Sequence, residues 1–203
     1  MRELSSVQEK ILDRTLYLIG KNGSSNVSVR AIAKEAEVNV SAINYHFRSK
    51  DELLKHVKEF YINNTLSAYS KLENDDYEDE EKVILVANEI MEYSLRYPGI
   101  ITILKESVNS KEKDEYAYKI MAVTEDMNNK LDKVLDRVLD GSKENFEYNR
   151  RIFLSSILYP IINKDTVNFN NDYLSSREYR LRYIKYLVNM LKASKDLPPL
   201  SNL

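Results

Sequence analysis

The stretch Val29-Arg30-Ala31-Ile32-Ala33-Lys34-Glu35-Ala36-Glu37-Val38-Asn39-Val40-Ser41-Ala42-Ile43-Asn44-Tyr45-His46-Phe47 decides how this chain is read. It holds two helical segments, Val29 to Glu35 after a Ser28 cap and Val40 to Phe47 after an Asn39 cap, with four residues between them. Isolated helices need ~12–15 residues to be stable, so segments this short must brace each other. Ile32, Ala33 and Ala36 are expected to pack inward, Val38 to plug the corner, and Ile43 and Phe47 to anchor the second segment. That is the layout of a helix-turn-helix. With Ile43 set inward and ~100° per residue, Ser41 and Tyr45 project about 160° away, flanked by Ala42 and Asn44. A solvated face ordinarily carries Lys and Glu. This one offers an amide, hydroxyls and a ring, groups that bond base edges or phosphates.

Moving outward, Ser5 with Gln8 and Ser6 with Glu9 fit capping boxes that open a first helix, which Gly23 closes. Ser49 with Glu52 opens a helix running from Lys50 to about Leu72. The acidic run Glu73 to Glu81 reads as an exposed connection whose last acids favour the start of the next helix. That helix ends near Arg96, broken by Tyr97-Pro98-Gly99, and Ile100 to Val108 follows. A long helix is expected over Lys111–Asp140, closed by Gly141, then one from Glu144 to about Asn163 and a last one from Ser176 to about Ser194 after a Ser175/Glu178 capping box. The expected fold is all-α, with nine helices, no strand and no internal repeat.

Composition narrows the chemistry. The chain has 203 residues, 43% apolar and 31% charged, with four glycines, four prolines, two histidines and no cysteine. Four scattered glycines can write neither a dinucleotide fingerprint nor a P-loop. Without cysteine there is no disulfide, thiol nucleophile or zinc knuckle, and with two histidines a histidine-rich metal site is not expected. A carboxylate-bridged metal site in a bundle needs Glu-x-x-His, but Ile43 and Leu53 stand three positions before the histidines. No enzyme and no cofactor are expected. The longest uncharged run, Ile152 to Asn163, has 12 residues, where a membrane span needs ~20. No membrane is therefore expected as a partner, and a cytoplasmic address fits.

The stretch from Val29 to Ala36, with Asn44-Tyr45-His46-Phe47-Arg48-Ser49-Lys50-Asp51-Glu52-Leu53 after it, resembles the DNA-binding head of the tetracycline-repressor (TetR) family of bacterial regulators. The resemblance covers roughly residues 7 to 56, and beyond them only the architecture matches. It implies a three-helix head, residues 1–48, followed by a six-helix ligand-binding and dimerisation bundle, residues 49–203. It also implies roles. Asn39, Val40, Ser41 and Asn44 would face the major groove, where asparagine can bond adenine bidentately and valine can touch a thymine methyl. Ser28, Arg30, Tyr45, His46 and Lys50 would hold phosphates. Glu37 departs from the family, which usually has glycine in this turn; if φ is positive there, a side chain costs roughly 1 kcal/mol. Residues 1–54 have a net charge of +1 and residues 55–203 one of −3, so little non-specific attraction to DNA is expected.

Two later helices are apolar around much of their circumference. Ile152, Phe153, Leu154, Ile157, Leu158, Tyr159, Ile161 and Ile162 surround one, and residues from Tyr179 to Leu191 cover about 200° of the other. Both are expected to be covered from two directions. With the resemblance this implies a homodimer built through Phe153, Ile157, Leu158, Ile161, Tyr183, Leu187 and Leu191. Tyr93, Tyr116, Met121 and Tyr159 lie in helices that the resemblance makes pocket-forming, for an aromatic or lipid-like effector. The implied function is a ligand-responsive repressor of a pseudo-palindromic operator. The competing expectation is a helical protein-interaction module whose head no longer reads DNA.

Overall fold

The computed structural model describes residues 6–139, 141–163 and 174–194. Among the described residues the chain forms nine α-helices and no strand, as expected. They are α1 Val7–Asn22, α2 Val29–Glu35, α3 Val40–Phe47, α4 Lys50–Tyr69, α5 Asp79–Arg96, α6 Gly99–Ser110, α7 Glu115–Leu139, α8 Lys143–Ile162 and α9 Arg177–Ala193. A 3-10 turn, Ser70–Glu73, follows α4. None of these helices is long and apolar enough to cross a membrane.

The caps explain most boundaries. Ser6 Oγ accepts from Glu9 N, Ser49 Oγ from Glu52 N and Ser142 Oγ from Asn145 N, at 3.1, 3.1 and 3.2 Å, each satisfying an orphan donor of a first turn. Gly23 ends α1 with φ 65°, in the left-handed region that a side chain disfavours. The expected start of α7 at Lys111 shifts to Glu115, because Asp114 accepts from the backbone N–H groups of Tyr116 and Ala117. Helical periodicity continued through Lys111–Asp114, but the capping carboxylate decides where the helix begins. The expected end of α7 at Asp140 lies outside the described residues. At α9 the N-cap is Ser176, without a side-chain bond, in place of the Ser175/Glu178 box. There the Arg180 guanidinium binds the carbonyls of Leu174 and Ser175, both at 2.9 Å, and so fixes the entry of the chain.

The chain groups into two compact units, Met1–Ser67 with Arg96–Glu125 and Ala68–Leu95 with Asp126–Leu203. In the first, Ile11, Leu16, Ile19, Ile32, Ile43, Phe47, Leu53, Val57, Ile103 and Ile120 are buried. Helices α1 and α6 meet backbone to backbone. A Cβ on Gly20 would stand 2.2 Å from Gly99 N, and one on Gly99 would stand 2.1 Å from the Leu16 carbonyl oxygen. Beside this crossing the fully buried Asp13 carboxylate accepts from Arg96 Nη2 at 2.7 Å, from the Tyr97 hydroxyl at 2.8 Å and from Arg14 Nε at 2.8 Å. Burial alone would push the Asp13 carboxyl up. The bonds from Arg14, Arg96 and Tyr97 outweigh it and hold the group below the usual carboxylate range. The same burial, with the adjacent Asp13 carboxylate, pushes the Tyr97 phenol up, so Tyr97 remains a donor.

The second unit is built on Met91, Leu131, Leu135, Phe153, Ile157, Ile184, Leu187 and Val188. A buried charge crosses it. Arg180 is 3% exposed and its guanidinium reaches Asn88 Oδ1 at 3.1 Å and Glu92 Oε2 at 2.6 Å. With both Leu174 and Ser175 carbonyls also bound, four of its donors are satisfied, the condition under which a buried cation is tolerated.

Candidate nucleic-acid interface

Helices α2 and α3 are joined as the sequence requires. Ile32, Ala33, Ala36, Ile43 and Phe47 are buried, and Val38 N donates to the Ala33 carbonyl at 2.9 Å across the turn. Glu37 adopts φ 53°, so the turn keeps the left-handed residue for which glycine is the usual choice. The strain of placing a side chain there is roughly 1 kcal/mol. The carboxylate reaches back to Lys10 Nζ at 3.1 Å, an exposed pair between the turn and α1.

The opposite side of α3 is open. Ser28, Arg30, Asn39, Ser41 and Asn44 are exposed, as are Val40 at 39% and Tyr45 at 83%. A tyrosine with that much surface in water buries little apolar area, so its ring adds little to the stability of the fold. The two caps divide the polar groups. Asn39 Oδ1 accepts from Ala42 N at 2.7 Å and Ser28 Oγ accepts from Ala31 N at 3.1 Å, so each oxygen is already engaged. Asn44 has no such duty, and both ends of its amide are available for a bidentate partner.

Two of the expected residues sit differently. His46 is half-buried, edge-on to Tyr45 with ring centroids 5.2 Å apart. Lys50 is half-buried, and its Nζ donates to Asn26 Oδ1 at 3.1 Å, which brings the start of α4 to the loop preceding Ser28. The turn that does this was not legible in the sequence. Arg48 has φ 61° and Ser49 N donates to the Phe47 carbonyl at 2.6 Å, a tight three-residue γ-turn of the strained hand. No glycine, asparagine or proline marks it.

On α8 and α9 each helix presents two apolar faces. Phe153, Ile157, Ile161, Leu187 and Leu191 are buried in the chain's own second unit. Leu158 and Tyr183 are partly buried against the same core, and the Tyr183 hydroxyl donates to the Ser156 carbonyl at 2.9 Å. Outward stand Ile152, Tyr159 and Ile162 on α8 and Tyr179, Tyr186 and Met190 on α9, each more than 40% exposed. Wheel positions counted in the sequence could not separate these faces, because both are apolar. Of the expected effector residues, Tyr93 and Met121 are half-buried, and Tyr116 is half-buried with its hydroxyl donating to Glu59 Oε1 at 2.9 Å. Tyr159, 51% exposed, belongs to the outward face of α8.

Residues 11–57 match the family model of bacterial regulatory proteins, tetR family. The chain is 46% identical over 57 residues to the probable HTH-type transcriptional regulator YttP of Bacillus subtilis, a stretch that spans 28% of each protein's length. It is 23% identical over 152 residues to the nucleoid occlusion factor SlmA of Vibrio campbellii, covering 74% of this chain and 78% of that one. A solved TetR-family regulator from Bordetella parapertussis shares the fold with a TM-score of 0.67 at 12% identity, over 98% of each chain. Residues 11–57 thus match the helix-turn-helix of the tetR family of bacterial regulatory proteins, and over nearly the whole chain the fold is shared with a solved TetR-family regulator.

Proposed function

We propose that the chain is a dimeric, ligand-responsive DNA-binding transcriptional regulator, a repressor released from a pseudo-palindromic operator by a small-molecule effector. The reading head is assigned to residues 1–48, and residues 49–203 are assigned to effector binding and dimerisation. The observation that carries this reading is the outward face of α3, where Tyr45 is 83% exposed beside exposed Asn39, Val40, Ser41 and Asn44. In this reading Asn44 and Val40 touch base edges. Tyr45, Arg30 and Lys50 hold phosphates, while Ser28, Asn39 and Ser41 lend their remaining hydrogen-bonding capacity. His46 supports the Tyr45 ring. The half-buried Tyr93, Tyr116 and Met121 are candidates for contact with an aromatic or lipid-like effector.

The test begins by selecting a preferred duplex from a random pool and measuring affinity for it and for single-base variants. Tyr45→Ala is expected to weaken all duplexes about equally. Asn44→Ala is expected to relax the preference at one base-pair position by ~1–3 kcal/mol, the worth of a bidentate contact. If both variants bound as the unmutated protein does, α3 would not be the reading helix and the interaction-module reading would take its place.

The dimer is proposed to form through the outward faces of α8 and α9. Ile152, Tyr159, Ile162, Tyr179, Tyr186 and Met190 supply an apolar surface that the chain alone leaves in water. Two copies related by a two-fold axis would bury it as a four-helix contact. Tyr186→Glu is expected to give a helical, folded monomer in sedimentation at micromolar concentration. By contrast Leu187→Glu, at a position 3% exposed, is expected to unfold the second unit by burying an unpaired charge. An unmutated protein that sediments as a monomer would refute the dimer.

A further inference from the structure

The first unit contains a cleft of about 380 Å³ walled by Ile19 of α1, Leu54 and Val57 of α4, and Ile103 of α6. It lies within the range of small-molecule sites, ~300–1,000 Å³. It is not lined by any of the residues assigned above to DNA, effector or dimer contacts. On one side Ser107 also lines it, a residue 1% exposed whose Oγ has no hydrogen-bond partner. Helical serines usually return such a hydroxyl to a carbonyl four residues back, as Ser110 does to Glu106 at 2.9 Å. Ser107 does not, and leaving a buried hydroxyl unpaired is unfavourable.

The charges lining the cleft are unequal. The Lys58 ammonium is matched by the Asp114 carboxylate. The Glu106 carboxylate accepts the Ser25 backbone N–H at 3.0 Å on Oε1 and forms no ion pair among the described residues. Ser25, Lys58, Asn109 and Ser110 complete the polar part of the lining, the unpartnered Ser107 hydroxyl can accept as well as donate, and Glu106 is the lining charge without an ion pair among the described residues. A group with several N–H donors and a positive charge satisfies both, whereas a carboxylate would meet repulsion from Glu106.

We propose that this cleft between α1, α4 and α6 binds a small organic amine, its ammonium held by Glu106 and Ser107 and its apolar body lying against Ile19, Leu54, Val57 and Ile103. The site goes beyond the regulator reading, and its occupancy is measured without DNA, so failure here and failure of DNA reading are separate results. The test titrates the full-length, 15N-labelled protein with phenethylamine, 2-phenylethanol and phenylacetate, which share a body and differ in the head group. The amine is expected to shift the amide resonances of Ser25 and of residues 103–110 saturably, binding roughly tenfold more tightly than the alcohol, the factor a charge-assisted hydrogen bond supplies. Phenylacetate is expected to bind most weakly.

Glu106→Gln keeps an acceptor for Ser25 N–H and removes the charge, so it is expected to abolish the preference for amine over alcohol. Equal binding of amine and alcohol, tighter binding of phenylacetate, a preserved amine preference in Glu106→Gln, or shifts confined to other residues would each overturn the proposal. Should Glu106→Gln fail to fold, the comparison of the three compounds on the unmutated chain decides alone.

Discussion

Gly99→Ala is expected to destabilise the first unit by about 3 kcal/mol or more, at the upper end of what overpacking costs. The added methyl would stand 2.1 Å from the Leu16 carbonyl oxygen and 3.0 Å from Gly20 N. Both are backbone atoms, so no side-chain rotamer can yield, and α1 and α6 would have to separate along their crossing. Gly20→Ala meets the same contact from the other helix, 2.2 Å from Gly99 N, and is expected to behave alike. Gly23→Ala is the control. Nothing lies within 4 Å of its Cβ, and only the positive φ penalises it, by about 1 kcal/mol. Urea unfolding followed by far-ultraviolet circular dichroism ranks the three. A Gly99→Ala protein as stable as Gly23→Ala would mean that the two backbones do not touch in solution.

The second large effect concerns Asp13. Asp13→Asn keeps the shape of the side chain and removes the charge that Arg14 and Arg96 share. Breaking a buried ionic cluster by removing one member costs about 3–5 kcal/mol, and that loss is expected at pH 7. Its pH dependence has a definite sign. The folded pKa of Asp13 is lowered, by hydrogen bonds from Arg14, Arg96 and Tyr97 that outweigh burial. The stability it contributes is therefore complete above the ordinary carboxylate value of about 4 and is lost as pH falls toward the lowered one. The gap between the unmutated protein and Asp13→Asn should be constant from neutral pH down to about 5 and then close under more acidic conditions. A gap unchanged at pH 3 would show that the carboxylate is not what the cluster depends on.

The head was legible in the sequence because its determinants are local. Capping residues lie three positions from the N–H they satisfy, as Ser28 does from Ala31 and Asn39 from Ala42. The inward residues of α2 and α3 recur at helical spacing, and the outward face of α3 follows from them by geometry alone. The order of the nine helices among the described residues and the exposed set around Tyr45 needed no tertiary information. The exceptions had no local mark. Arg48 turns the chain in a γ-turn without glycine, and Asp114 starts α7 from inside an unbroken helical pattern.

Tertiary structure decided what lies far apart along the chain. Asp13 meets Arg96 and Tyr97 from 83 and 84 residues away, and Arg180 meets Glu92 from 88. A single charged residue in a helix carries no sign of a partner so distant. The same limit governed α8 and α9, whose wheels are apolar on both sides, so the sequence by itself determined that each has two faces to cover. Only packing decided that Phe153, Ile157 and Leu187 go to the chain's own core and leave Ile152, Tyr159 and Tyr186 outward, because hydrophobic burial is non-directional and favours either face equally until a neighbour covers one.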